Sequence, residues 1–281
     1  MKNIINQIHG LTSIGKDFKE SITKEYFDEN YGYRQIPVVF KKGFQNLKIR
    51  NQITLDFLFK EFSQREKLAN LYKDNKELVL NLKDYIDYDS SEYYYTSNRV
   101  HKSKIKLDNT LENVFPCWYS SSRISKPKTN LLWLYVGLKN TFSCTHIDIW
   151  STSAWNYLVE GTKLWFVYPK HYSDFIAKNI DSFNIMNQEG FNTQLFELNQ
   201  KPLVYIQKPG ELIFIPSNTY HAVLNIDMTV SLTGNFFNQI NYDDVRSFFR
   251  KKNDKNNSIF IENIIKDGFK NVKKMNYEEK S

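Results

Sequence analysis

From residue 131 to residue 236 the chain is a succession of short apolar runs separated by turn residues, and few folds accept that pattern. The runs lie at 131–136, 143–148, 154–159, 164–168, 203–206, 211–215, 222–225 and 229–236. Short strands at regular spacing predict a sandwich or a barrel. Glu160-Gly161-Thr162 reads as a hairpin turn between the third and fourth runs. A polar excursion separates the first four runs from the last four, at about 170–200. The aromatic content supports a thick β-rich core: 21 Phe, 18 Tyr and 5 Trp stand against 10 Gly and 7 Pro.

The flanks read differently. Residues 1–30 are polar and mixed, suiting a helix and a loop, and 36–40 is a strand signal ending at Lys41-Lys42-Gly43. Thr54 is placed to cap a helix carrying Leu55, Phe57, Leu58 and Phe62. Leu78-Val79-Leu80 and Tyr93-Tyr94-Tyr95 look like strands around a helical piece near Tyr85, and a further helix fits 107–114. After residue 240 a helical pattern returns, with Phe248, Phe249, Ile259, Ile261, Ile264, Ile265 and Phe269 available to cover the barrel or a second subunit. With 281 residues, one large domain is affordable. The expected division is 1–130 as N-terminal helices and accessory strands, 131–238 as the barrel core, and 239–281 as C-terminal helices that could also form a homodimer contact.

Charge and cysteine content exclude several classes. The net charge of +7 is scattered, and from 241 onward 10 Lys/Arg face 7 Asp/Glu. That excess suits a solvated helical tail better than a nucleic-acid surface. Two cysteines, Cys117 and Cys144, cannot build a four-thiolate zinc site, and a chain this long needs no disulfide scaffold. No apolar run suits a signal peptide or a membrane span. A cytoplasmic location is expected, or a nuclear one if the source is eukaryotic.

One constellation carries chemistry. Thr145-His146-Ile147-Asp148 supplies His-x-Asp, and Pro216-Ser217-Asn218-Thr219-Tyr220-His221 supplies a later histidine. On a strand, residues i and i+2 share a face, so His146 and Asp148 can reach one ion. His221 would come from another strand of the same barrel. Two imidazoles and one carboxylate on one side of an ion form the facial triad of non-haem iron(II) oxygenases; zinc or manganese would accept the same ligands. His-x-Asp alone is a weak signal, but here a glycine turn, Lys208-Pro209-Gly210-Glu211, and an apolar strand ending at Pro216 lead to His221. His9, His101 and His171 lack comparable neighbours.

Residues 131–238 resemble the Jumonji-C (JmjC) and cupin-like oxygenases, most nearly the lysyl hydroxylase/arginine demethylase subgroup. The resembling stretches are His146-Ile147-Asp148, Thr152-Ser153-Ala154-Trp155-Asn156, Gly161-Thr162-Lys163-Leu164-Trp165 with Pro169, Gln207-Lys208-Pro209-Gly210-Glu211, His221-Ala222-Val223-Leu224-Asn225 and Thr233-Gly234-Asn235-Phe236. The resemblance implies a mostly β protein, a double-stranded β-helix (jelly-roll) barrel with flanking N- and C-terminal helices. It implies a dioxygenase that uses iron(II), 2-oxoglutarate and molecular oxygen. By position, Lys163 would pair with the distal carboxylate of 2-oxoglutarate, and Asn156 and Thr233 would hydrogen-bond it. Tyr94 falls where a cosubstrate-binding tyrosine lies. Ser143 stands where relatives have threonine, and Asn235 would lie near the reacting centre. The physics of Lys163 agrees, because it opens an apolar run, where an ammonium is costly without an anion.

The subgroup implies hydroxylation of a C–H bond on a protein or peptide, with lysine first. Ser217-Asn218-Thr219-Tyr220 replaces a Gly- and Trp-rich stretch of the subgroup beside the expected mouth, so a small metabolite, a peptide natural product or a tRNA base stays open as substrate. A non-catalytic cupin-like binding module and a zinc hydrolase are the remaining alternatives.

Overall fold

The computed structural model describes residues 6–62, 69–73, 76–80, 82–87, 98–99, 105, 107–122, 124, 131–187, 190–252 and 255–278. Tyr94, with the strand expected at Tyr93-Tyr94-Tyr95, lies outside the described residues, as does His101.

Two sheets form the barrel. The larger holds, in spatial order, β1 (Gly15–Asp17), β2 (Val38–Phe40), β13 (Leu212–Ile215), β8 (Ser153–Glu160), β15 (Thr229–Phe236), β6 (Leu132–Gly137) and β5 (Asn98–Arg99). The smaller runs β12 (Leu203–Gln207), β9 (Lys163–Val167), β14 (His221–Asn225) and β7 (Phe142–His146), while β3 (Ala69–Lys73) pairs with β4 (Lys76–Leu80) and β10 (Met186–Asn187) with β11 (Gly190–Phe191) in two separate two-stranded sheets. From β6 to β9, and again from β12 to β15, successive strands alternate between the two sheets. That alternation is the double-stranded β-helix.

The alternation corrects one expectation. Glu160-Gly161-Thr162 does not close a hairpin, because β8 pairs with β13 and β15 while β9 pairs with β12 and β14. The turn carries the chain from one sheet to the other. Gly161 is required there: its φ is +83°, and a Cβ would lie 2.1 Å from the Met228 carbonyl oxygen. Local turn chemistry marks a reversal but does not say whether the flanking strands pair.

Side-chain alternation sorts each strand into two faces. Trp155, Tyr157 and Val159 of β8 point outward into a cluster with Phe27, Phe40, Phe44 and Phe115, so the N-terminal elements cover the larger sheet. Leu164 and Phe166 of β9 point outward under Ile176, Phe183, Ile185 and Leu195. The stretch at 170–200 is thus a lid over the smaller sheet rather than a polar excursion. Its apolar residues are spread among turns and a short helix, Ser173–Lys178, with no period to reveal them.

Inside the barrel, one half is apolar, filled by Ile14, Val39, Trp165, Val167, Tyr205, Ile213, Ile215 and Val223. The other half is polar. The helices Tyr242–Lys251 and Lys255–Glu278 bury Val245, Phe249, Ile261, Ile264 and Ile265 against Trp118, Tyr119, Leu131 and Phe237 of the same chain. These side chains therefore cover their own chain, and Ile259 is 63% exposed. Among the described residues, no helix is long and apolar enough to cross a membrane.

Candidate metal centre

Strand register brings the two histidines together. His221 opens β14 opposite His146, the last residue of β7, and their rings lie 4.4 Å apart between centroids. Three residues further back on β7, Ser143 pairs with Val223, which is only two along from His221. The extra residue is a β-bulge. It lets Ser143 and His146, at an odd spacing, both line the same cavity. Asp148 lies beyond the strand end in extended conformation (φ −62°, ψ 159°), so the i, i+2 relation to His146 survives although β7 stops two residues earlier.

Each imidazole is oriented from behind. His146 Nδ1 lies 2.7 Å from the Cys144 carbonyl oxygen, and His221 Nδ1 lies 3.0 Å from that of Thr219. A carbonyl only accepts, so both Nδ1 atoms carry the proton and both Nε2 atoms present a lone pair. Burial first, and then the charge of His221, holds the His146 imidazole down to about 4, against the pull of Asp148 and the Cys144 carbonyl. His146 is therefore neutral at physiological pH, as a metal ligand must be.

One ligand atom from each of His146, Asp148 and His221 lies within 4.8 Å of the other two. Asp148 Oδ2 is buried and accepts no hydrogen bond. It stands 4.0 Å from His221 Nε2, too far for a hydrogen bond and close enough for one ion to touch both. A buried carboxylate oxygen without a donor calls for a cation. The residues present fit a divalent metal.

Beside the triad lies a buried ammonium. Lys163, the first residue of β9, is 5% exposed, and its Nζ donates to Ser231 Oγ at 2.6 Å. The Tyr135 ring lies 5.6 Å away. Burial pushes the amine down to about 7. Among the described residues no carboxylate pairs with it, so the site has room in its charge balance for an anion. Asn156 and Thr233 face each other across β8 and β15, with Asn156 Nδ2 donating to Thr233 Oγ1 at 2.7 Å. Asn156 Oδ1 is buried and unpaired.

Of the nine residues singled out from sequence, seven line one cavity: Ser143, His146, Asp148, Asn156, Lys163, His221 and Thr233. Asn235 shares its strand face with Thr233, but its amide is engaged: Trp133 Nε1 donates to Oδ1 at 2.8 Å, and Nδ2 donates to Thr152 Oγ1 at 3.1 Å. Tyr94 is outside the described residues. Tyr135, Trp165, Val223 and Asn225 also line the cavity, and Ser231 holds Lys163. Period two would have found four of these five: 165 from Lys163, 223 and 225 from His221, and 231 from Thr233. Trp165 is fixed by its Nε1 donating to Gln207 Oε1 at 2.8 Å, and its ring stacks near His221 at 6.0 Å.

The loop after Asp148 is strained. Trp150 and Ser151 have φ of 57° and 55°, in the left-handed region. Each non-glycine residue there costs on the order of 1 kcal/mol.

Comparison with known proteins agrees with this geometry. Residues 133–236 match the family described as JmjC domain, hydroxylase. The chain is 27% identical over 203 residues to the 2-oxoglutarate and iron-dependent oxygenase JMJD4 of Mus musculus, covering 64% of this chain and 47% of that protein. It is 26% identical over 243 residues to the lysine-specific demethylase JMJ21 of Arabidopsis thaliana, covering 80% and 25%. It is 24% identical over 236 residues to the bifunctional arginine demethylase and lysyl-hydroxylase psr-1 of Caenorhabditis elegans, covering 77% and 59%. The chain thus spans about half the length of the mouse relative and a quarter of the Arabidopsis one. Fold, the two-histidine, one-carboxylate cluster and the match over 133–236 agree, and together they make the chain similar to the JmjC family over its barrel.

Proposed function

We propose that this protein is an iron(II)- and 2-oxoglutarate-dependent dioxygenase that hydroxylates a C–H bond on a protein side chain, with lysine the first candidate. The observation that carries the reading is the pairing of two buried imbalances: an unpaired Asp148 carboxylate oxygen facing two imidazole lone pairs, and a buried Lys163 ammonium without an anion. A divalent cation resolves the first, and a dicarboxylate cosubstrate resolves the second.

His146, Asp148 and His221 would hold iron(II). With metal, cosubstrate and oxygen bound, such a centre supplies the oxidising chemistry that exchanges C–H for C–OH. The protein's own contribution is position. Lys163, held by Ser231, offers a fixed positive end to a carboxylate. Asn156 Oδ1 and the Thr233 hydroxyl present polar atoms to the cavity, and Ser143 adds a hydroxyl on the histidine strand. Trp165, Ile215 and Val223 line the same cavity and exclude water from it. The relatives named as lysine demethylase and as arginine demethylase and lysyl-hydroxylase support a protein side chain as substrate. Hydroxylation of a side-chain carbon and of an N-methyl carbon begin with the same bond exchange.

The test is incubation of the purified protein with iron(II), 2-oxoglutarate and a peptide library, with mass spectrometry for a gain of one oxygen atom and a parallel assay for succinate. Asp148→Ala should abolish both. Turnover that persists without 2-oxoglutarate, or in Asp148→Ala under limiting iron, would refute the reading.

A further inference from the structure

We infer that Trp150 is a positioning residue for the metal-binding carboxylate, and that the C-terminal helices hold it in place, so the metal centre is complete only with elements outside residues 133–236. The inference deepens the proposed function, since it rests on Asp148 being a metal ligand.

Two consecutive non-glycine residues, Trp150 and Ser151, are left-handed one residue beyond Asp148. Such strain persists only where the surroundings over-determine it. Among the described residues, the aromatic contacts of the Trp150 ring come from helices outside the barrel. Its neighbours are Tyr119, edge-on at 5.1 Å in the helix Trp118–Ser121, and Phe249, at 5.5 Å in the helix Tyr242–Lys251. Phe260 of the last helix backs Tyr119 at 6.3 Å. Tyr119 and Phe249 are both buried. The far side of the loop is tied down as well: Thr152 Oγ1 donates to the Ile149 carbonyl at 2.8 Å, and Ser151 N donates to the Asp148 carbonyl at 3.0 Å. The chain leaving Asp148 is therefore fixed at both ends, by an aromatic clamp and by a hydrogen-bonded turn. Asp148 Oδ2, which has no hydrogen bond of its own, depends on that backbone for its aim. A side chain without a donor to steer it is set by where its Cα is put.

Removal of the Trp150 ring releases the strain, because Ala is free to leave the left-handed region. The carboxylate then loses its aim while both histidines keep their carbonyl partners. The test is cobalt(II) titration of the full chain, read as affinity and as the visible d–d spectrum, with turnover secondary. Trp150→Ala should weaken cobalt binding about tenfold or more and shift the spectrum toward that of Asp148→Ala. Trp150→Phe, which keeps a ring for the clamp, should restore both. If Trp150→Ala does not fold, Phe249→Ala removes one wall of the clamp from outside the loop and should show the same spectral shift. A folded Trp150→Ala or Phe249→Ala protein with wild-type cobalt affinity and spectrum overturns the inference. Failure of the wild-type chain to bind cobalt overturns instead the proposed function beneath it.

Discussion

Lys163 Nζ donates to Ser231 Oγ across 2.6 Å, from the first residue of β9 to the middle of β15. The bond joins the two sheets inside the barrel. A serine hydroxyl satisfies one of three ammonium donors and none of the charge. Desolvation consequently dominates, and the amine is held near 7. The cavity thus holds a desolvated amine at the expense of the ligand-free fold.

Replacement of Lys163 by methionine separates those two effects. Lys163→Met should weaken 2-oxoglutarate binding about 100-fold or more, since an unpaired buried carboxylate is costly. It should leave cobalt affinity within a few-fold. Without cosubstrate the variant should be more stable than wild type by about 1–4 kcal/mol, as for buried charges exchanged for apolar groups. Isothermal calorimetry and urea melts measure the two effects.

The depressed amine predicts a pH signature with a definite sign. Folded Lys163 releases its proton near 7, whereas the unfolded side chain keeps it to about 10.4. Between those values the unfolded state holds the extra proton, so ligand-free stability rises with pH across that window and the penalty is largest below 7. Wild type minus Lys163→Met isolates this slope in urea melts at pH 6.5, 8 and 9. Binding of a dicarboxylate favours the charged amine. At pH 8, 2-oxoglutarate binding should therefore take up close to one proton, seen as a heat that scales with buffer ionisation enthalpy. Proton release on binding would contradict the pairing.

Much of this was legible in the chain, for identifiable reasons. The core strands announced themselves as short apolar runs between turn residues, apolar throughout because both faces are covered, with Leu164 and Phe166 outward and Trp165 and Val167 inward. His146 and Asp148 were readable as a pair because extended backbone preserves the i, i+2 relation past the end of β7. The bulge that also brings Ser143 inward left no local mark, since it depends on the register against Val223. Gly161 was readable as a turn but not as a crossing between sheets, because pairing is a long-range property. The cover at 170–200 was missed for a similar reason. Ile176, Phe183, Ile185 and Leu195 have no common period and become a cluster only once the smaller sheet lies beneath them. The clamp on Trp150 joins residues 119, 150 and 249, which no local pattern relates.

Asn235 illustrates how a residue expected at the site can instead be bound to the fold. Its amide accepts from Trp133 on β6 and donates to Thr152 just after the Trp150 loop. Asn235→Ala removes both the acceptor used by Trp133 Nε1 and the donor to Thr152 Oγ1, at a cost of about 1–3 kcal/mol. The expected outcome is a lower urea midpoint with an unchanged slope. Cobalt affinity should fall less than in Asp148→Ala. A variant of wild-type stability that loses all turnover would instead favour a direct role at the reacting centre.

Gly161 couples the fold to the proposed cosubstrate pocket most directly, because Lys163 follows it by two residues. At φ +83° an alanine is strained, and its Cβ would meet the Met228 carbonyl oxygen at 2.1 Å. That carbonyl belongs to the chain entering β15, the strand that carries Ser231 and Thr233. Relief requires the corner to move away from β15, yet Ile226 N donates to the Thr162 carbonyl at 2.9 Å and opposes the shift. Gly161→Ala should cost at least about 2 kcal/mol in urea unfolding. The displaced corner should also lengthen the Lys163–Ser231 contact, so the variant should bind 2-oxoglutarate about tenfold more weakly at unchanged cobalt affinity. Equal losses in both affinities would mean that the whole barrel has loosened, and wild-type stability would mean that the turn does not sit against Met228.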